Sequence, residues 1–192
     1  HALGYAALAI TDECSLAGVV RAHVEAQACG LPLIVGAEMR LTLPAAAGGS
    51  SAGAPGEPHA RLVLLAQSRR GYGNLSHWIT VARRRADKGH YLALAADVEG
   101  KVPNAPMLAG LPDCLALLAP RPGQPFETVF AHAMWLKTWF QDRAALALTL
   151  LHRAGDDEFV ALVRKVAALT ALPIAATGDV LMHLRSRKPV QD

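Results

Sequence analysis

Six short, unbroken apolar runs punctuate this 192-residue chain: Ala6 to Ile10, Leu33 to Val35, Leu62 to Ala66, Leu115 to Ala119, Leu146 to Leu151 and Pro173 to Ala176. Continuous rather than alternating hydrophobicity predicts strands covered on both faces, the pattern of parallel sheets. Between the runs lie helical patterns. Leu75, Trp78, Ile79 and Ala82 recur at the spacing of one helix face, as do Phe159, Leu162, Val163, Val166 and Leu169. The second of these opens on Asp156, Asp157 and Glu158, where the positive end of a helix dipole favours acids. Leu16, Val19, Val20 and His23 predict another helix, with Ser15 or Thr11 as its cap. Strand, helix, strand, helix is the rhythm of an α/β fold, a barrel or a wound sheet.

Length and composition narrow the reading. The chain is long enough for one domain, which at this size buries roughly 70% of its unfolded surface. Hydrophobic residues are 52% of the total, many of them alanine, and charged residues only 18%, which excludes a disordered or charge-patterned segment. A formal net charge of +3 permits contact with nucleic acid without arguing for it. Cys14, Cys29 and Cys114 are widely spaced, with no Cys-x-x-Cys pair, so neither a disulfide framework nor a zinc ribbon is expected, and a reducing cytoplasm is. No apolar run reaches the roughly 18 to 20 residues of a membrane span. The stretch from Pro44 to Pro58 is Ala, Gly, Ser and Pro, the composition of a flexible insertion between strands. The chain opens on His1 rather than methionine and is read as a fragment.

The polar residues that follow the apolar runs carry the chemistry. The first run leads into Thr11-Asp12-Glu13, the second into Gly36-Ala37-Glu38, the fifth into His152 and the last into Gly178-Asp179. In α/β barrels the active site forms at the carboxyl ends of the strands, so Asp12, Glu38 and Asp179 are expected to converge. Carboxylates gathered in this way suit divalent metals and phosphate chemistry. The competing reading is that they are helix caps and turn formers, common after any strand. His77, His90 and His132 read as surface or packing residues rather than ligands. Arg83, Arg84 and Arg85 read as the solvated continuation of a helix face, with nucleic-acid contact as the alternative. Cys14 has no cation near it in sequence to make it a thiolate.

The stretch Thr11-Asp12-Glu13-Cys14-Ser15-Leu16-Ala17-Gly18 resembles a motif of the PHP (polymerase and histidinol phosphatase) domain of bacterial C-family DNA polymerases, in the form of the error-prone branch. Further segments are similar to that family in order: Leu33 to Glu38, Leu62 to Ala66 with Gly71 to Ser76, and Gly178 to His183 with Arg185 to Lys188. Arg83-Arg84-Arg85-Ala86 also looks like the error-prone branch. The resemblance implies a distorted (β/α)7 barrel spanning residues 1–192, short of its first strand, with a polymerase palm following Asp192.

The resemblance also implies where a metal site would lie and how this chain departs from it. Glu13 stands where replicative members have a His, exchanging a nitrogen ligand for a hard oxygen. Arg61 occupies another ligand position, Leu181 stands where a His is common, and Thr149 where a strand Glu is common. Asp12, Glu13, Glu38 and Asp179 remain, with His183 as a neighbour. Two outcomes stay open: one weakly held Mg²⁺ or Mn²⁺, or Arg61 paired with a carboxylate in a salt-bridged pocket of structural value. The second is favoured. The implied function is the PHP module of an error-prone polymerase of damage-induced mutagenesis and translesion synthesis, catalytically silent in itself. Its implied partners are the polymerase body of the same chain, DNA through that body, and other mutagenesis proteins, with Mg²⁺ serving the polymerase chemistry. The alternative is an active metal-dependent phosphoesterase or 3′–5′ exonuclease.

Overall fold

A computed structural model describes residues 2–43 and 60–191. The predicted insertion, 44–58, lies outside the described residues. Along the chain, β1 (Leu8–Ile10) and α1 (Val19–Cys29) precede β2 (Leu33–Thr42), which is followed by β3 (Ala60–Ala66) and α2 (Arg69–Arg84). Then come β4 (Ala93–Leu94), α3 (Ala95–Val98), β5 (Cys114–Leu118), α4 (Phe126–Phe140), β6 (Ala144–Leu148), α5 (Asp156–Thr170), β7 (Ile174–Ala176) and α6 (Lys188–Gln191). Every predicted apolar run contributes to a strand.

The strands form one mixed sheet in the order β1-β2-β3-β5-β6-β7, with β4 also paired to β2. The sheet curls into a half-barrel. Most pairings are parallel, but β3 runs antiparallel to both neighbours, β2 and β5. This corrects the wholly parallel expectation. Run continuity reports burial, and burial does not distinguish strand direction. Along one edge of β2 sit, in succession, β1 against Leu33 to Val35, a bridge from Glu13 to Glu38, and β4 against Leu41 and Thr42.

The expectation of strands buried on both faces also needs correction. In β3 and β5 burial alternates: Ala60, Leu62, Leu64, Cys114, Ala116 and Leu118 are buried, while Arg61, Val63, Leu65, Leu115 and Leu117 are half-buried on the opposite, concave face. The edge strands β1 and β7 are largely exposed, with Leu8 at 56% and Ile174 at 38%. Among the described residues, helices cover the convex face, so period-2 alternation at the level of burial coexists with an unbroken apolar sequence.

The main core lies between that convex face and the helices. Met39, Leu41, Leu62 and Leu64 join Leu75 and Trp78 of α2, Leu136 and Phe140 of α4, and Val163 and Val166 of α5. α2 begins at Ser68, whose Oγ accepts from Gly71 N at 3.2 Å and thereby satisfies a first-turn donor. α5 carries Asp156, Asp157 and Glu158 in its first turn, as the sequence predicts. α1 departs from expectation. Its N-cap is Gly18, without a side-chain cap, and Ser15 Oγ instead accepts from Ala17 N at 3.2 Å. None of its residues is buried, and Val20 and Val24 are exposed.

α4 and the short β4-α3 segment have no counterpart in the predicted elements. The latter carries Asp97, which is fully buried and accepts from Trp78 Nε1 at 2.9 Å, Leu94 N at 3.1 Å and Arg85 at 2.5 and 2.7 Å. Four donors around one carboxylate make this a satisfied buried charge, of the kind the interior tolerates.

Candidate functional site: carboxylates closed by arginine

Strand direction determines which side chains meet at the rim of the half-barrel. β2 reaches the rim with Glu38 and Arg40, two residues apart and hence on one face. β3 starts there because it runs the other way, so Arg61 stands directly opposite Arg40 in register. The chain beyond β7 brings Asp179 to the same place in a left-handed conformation, φ 47°, which Asp adopts more readily than most residues. Gly36 makes the close approach of strands possible: a Cβ there would lie 2.3 Å from Leu64 O and 3.0 Å from Thr11 Cγ2.

Arg61 is the centre of this cluster. Its guanidinium lies 2.5 Å from Asp179 Oδ1 and, through Nε, 2.7 Å from Glu38 Oε2. The first contact is an aligned hydrogen bond; the second is an ion pair by distance in which Nε lacks hydrogen-bond alignment. Side-chain exposures of 18%, 15% and 32% for Arg61, Glu38 and Asp179 place the triad between surface and interior. Burial works against the charge on Arg61, but the hydrogen bond to Asp179 and the adjacent charges of Glu38 and Asp179 outweigh it and hold the guanidinium protonated more firmly than in water.

Glu13 belongs to a second, adjoining centre. Its Oε2 pairs with Arg40 at 2.9 Å and its Oε1 accepts from Tyr91 OH at 2.8 Å, while that hydroxyl accepts from Arg40 N at 2.9 Å. Burial, with the hydrogen bond and charge of Glu13, outweighs the lowering effect of the Arg40 N–H and leaves the Tyr91 phenol well above its ordinary range, so it acts here as a neutral donor. Arg83 donates to Cys14 O at 2.9 and 3.2 Å and stands over the Tyr91 ring at 5.9 Å. Cys14 therefore does have a cation beside it, contrary to the sequence reading. Burial raises its thiol pKa more than Arg83 lowers it, so it remains a protonated core residue.

The remaining candidates lie apart. Asp12 offers its carbonyl to Glu38 N at 3.1 Å, but its carboxylate lies toward Gly18 at the start of α1, 3.4 Å from where a Cβ would stand. His183 and Leu181 are exposed, and His183 has no hydrogen bond or ion pair among the described residues. Thr149 and Thr177 join their hydroxyls at 2.7 Å across the ends of β6 and β7. The arginine run is not a uniform solvated face. Arg83 and Arg85 bind inward, to Cys14 O and Asp97, and only Arg84 of the three is without a partner among the described residues. Sequence reasoning missed Arg40, although its two-residue spacing from Glu38 along one strand would place it on the same face. Tyr91, 51 residues from Arg40, carried no sequence signal for the site.

No group of three His, Cys, Asp or Glu residues able to hold a metal ion occurs among the described residues. The reason is visible in the triad: a cation placed between Glu38 and Asp179 would meet the Arg61 guanidinium already bound to both. The residues present do not fit a divalent ion at this position.

A mixed α/β half-barrel with carboxylates at its rim defines the class of fold. Within that class, the PHP domain family matches residues 1–149, and the chain belongs to it. The chain is 51% identical over 190 residues to the error-prone DNA polymerase of Bordetella parapertussis, covering 99% of this chain and 17% of that protein. It is 45% identical over 192 residues to the error-prone DNA polymerase of Ralstonia nicotianae, again spanning 17% of its length. Among solved structures it is similar to an amidohydrolase from Chromobacterium violaceum with bound sulfate and no metal, at a TM-score of 0.60 and 14% identity over 93% of this chain and 78% of that one. A protein from Bifidobacterium adolescentis assigned as a metal-dependent phosphoesterase matches with a TM-score of 0.53 and 13% identity, at the same coverage of 93% and 78%. These two similarities speak for the fold alone.

Proposed function

We propose that this chain is the PHP module of an error-prone DNA polymerase and serves that enzyme as a structural element, its metal site replaced by a salt-bridged one. The observation that carries the reading is Arg61, which supplies between Glu38 and Asp179 the positive charge a metal would otherwise bring. The relatives, of which the chain spans about a sixth, support the attribution to a polymerase. On this reading the partners are the polymerase body of the same chain, DNA through that body, and other mutagenesis proteins. The setting is damage-induced DNA repair and translesion synthesis in the cytoplasm. No helix among the described residues is long and apolar enough to cross a membrane. Nucleotidyl transfer, with its Mg²⁺, belongs to the rest of the polymerase. Arg84 is the member of the basic run with a side chain left for nucleic acid.

Elemental analysis of purified protein, paired with hydrolysis of a 3′-labelled oligonucleotide in Mg²⁺ and Mn²⁺, tests the proposal. The expected outcome is substoichiometric metal and no cleavage. Stoichiometric bound metal, with cleavage abolished by Asp179→Asn, would establish the phosphoesterase or exonuclease reading instead.

A further inference from the structure

Beside the carboxylate centres, on the other side of Arg61, lies a cleft of about 360 Å³ bounded by the loop 119–125 and the start of α4. We propose that this cleft binds the phosphate group of a nucleotide-sized ligand. Its lining contains three arginines, Arg40, Arg61 and Arg121, and no Asp or Glu. The acids that pair with Arg40 and Arg61, namely Glu13, Glu38 and Asp179, are not among the lining residues, so the ion pairs hold those guanidiniums in place without occupying the cleft. Arg121 has no side-chain hydrogen bond or ion pair among the described residues.

Three further features favour an anion over a neutral ligand. His132 lines the cleft, is only 7% exposed and has no hydrogen-bond partner among the described residues. The described side-chain atoms sealed from solvent without a partner are Arg61 Nε and His77 Nε2, so the His132 ring nitrogens are open to solvent and to an acceptor placed in the cleft. The loop reaches the cleft through Pro125, the N-cap of the 15-residue α4, which has no side-chain cap, so the positive end of that helix dipole adjoins the cleft. Glu127 sits in that first turn but is not among the lining residues. Gln124 spends its Oε1 on Arg121 N at 2.7 Å, which leaves its amide NH₂ as a donor. Donors thus outnumber acceptors around a volume within the usual range for small-molecule sites, about 300–1,000 Å³. The site binds without a metal, and its existence does not depend on whether the carboxylate cluster is catalytic.

Titration calorimetry of the 192-residue protein with inorganic phosphate, a deoxynucleoside monophosphate, and a short single-stranded oligonucleotide with and without a terminal phosphate tests the proposal. Saturable binding of the phosphate-bearing probes is expected. Removing one charge-assisted contact by Arg121→Ala should weaken it about tenfold or more, and His132→Phe should weaken it as well. Arg164→Ala, on α5 and outside the cleft, should leave it unchanged. Binding of free monophosphates points to a small-molecule source; binding confined to the phosphorylated oligonucleotide points to a strand end; both support the site. Absence of binding by every phosphate-bearing probe, or equal weakening by Arg164→Ala and Arg121→Ala, overturns it.

Discussion

Replacing Arg61 by methionine keeps most of the side chain's apolar stem and removes only the charge that joins Glu38 to Asp179. The two carboxylates would then face each other, Glu38 at 15% exposure, without a counter-charge. An exposed ion pair contributes roughly 0–1 kcal/mol, whereas breaking a buried one costs about 3–5 kcal/mol. The triad's intermediate burial places Arg61→Met between these, at about 2–3 kcal/mol. For a domain of this size that corresponds to a melting temperature lower by roughly 5–10 °C. The assay is chemical and thermal denaturation of Arg61→Met, Asp179→Asn and the double variant. Because the two residues are in contact, the cycle should show a coupling of about 1 kcal/mol or more. A second arm adds Mn²⁺, which should raise the melting temperature of Arg61→Met and leave that of the parent unchanged. A coupling below about 0.3 kcal/mol would mean that Arg61 and Asp179 are independent surface charges. In that case the argument that arginine replaces the metal's charge fails.

Asp97→Ala should cost about 3–5 kcal/mol, since it strands Arg85 and the Trp78 indole in the interior; urea denaturation reads this directly. Tyr91→Phe should cost about 1–2 kcal/mol by freeing Glu13 and Arg40 N from the shared hydroxyl, again read by denaturation. Burial lowers the His132 pKa from 6.5 to about 4, so below pH 6.5 the unfolded chain takes up a proton that the folded chain refuses. Stability is therefore complete above about pH 6.5, falls as pH drops toward about 4 and levels off below, by about 3 kcal/mol in all. His132→Phe should flatten that part of the pH–stability curve. An unchanged slope would show that His132 is solvated.

The strands and the long helices α2 and α5 were legible because their signals are local: apolar runs, helical spacing and first-turn acids. α4 was legible in principle, since Phe126, Val129, Phe130, Ala133 and Phe140 follow a helical stripe. The reversal of β3 was not, because burial looks the same in either direction. At the site, the order of Asp12, Glu38 and Asp179 along the chain could not reveal that Asp12 turns toward α1. Nor could it show that Glu13 finds Tyr91 instead, since that depends on where a distant loop passes. Arg61, by contrast, was placed among the carboxylates by the family resemblance, and a guanidinium there has few other things to do.

The reversed strand has a consequence for how such a site changes over time. Residues at the ends of parallel strands reach the rim together with the loops that follow them, so altering one disturbs the entry into the next helix. Arg61 enters from the beginning of its strand, and the six-residue ladder from Ala60 to Leu65 holds it in register with β2 whatever precedes it. The character of the centre, charge-neutralised or open to a metal, is therefore exposed to change at a single position that no helix cap or turn depends on. Loss and recovery of the site can then be close neighbours in sequence space, while the half-barrel around it stays the same.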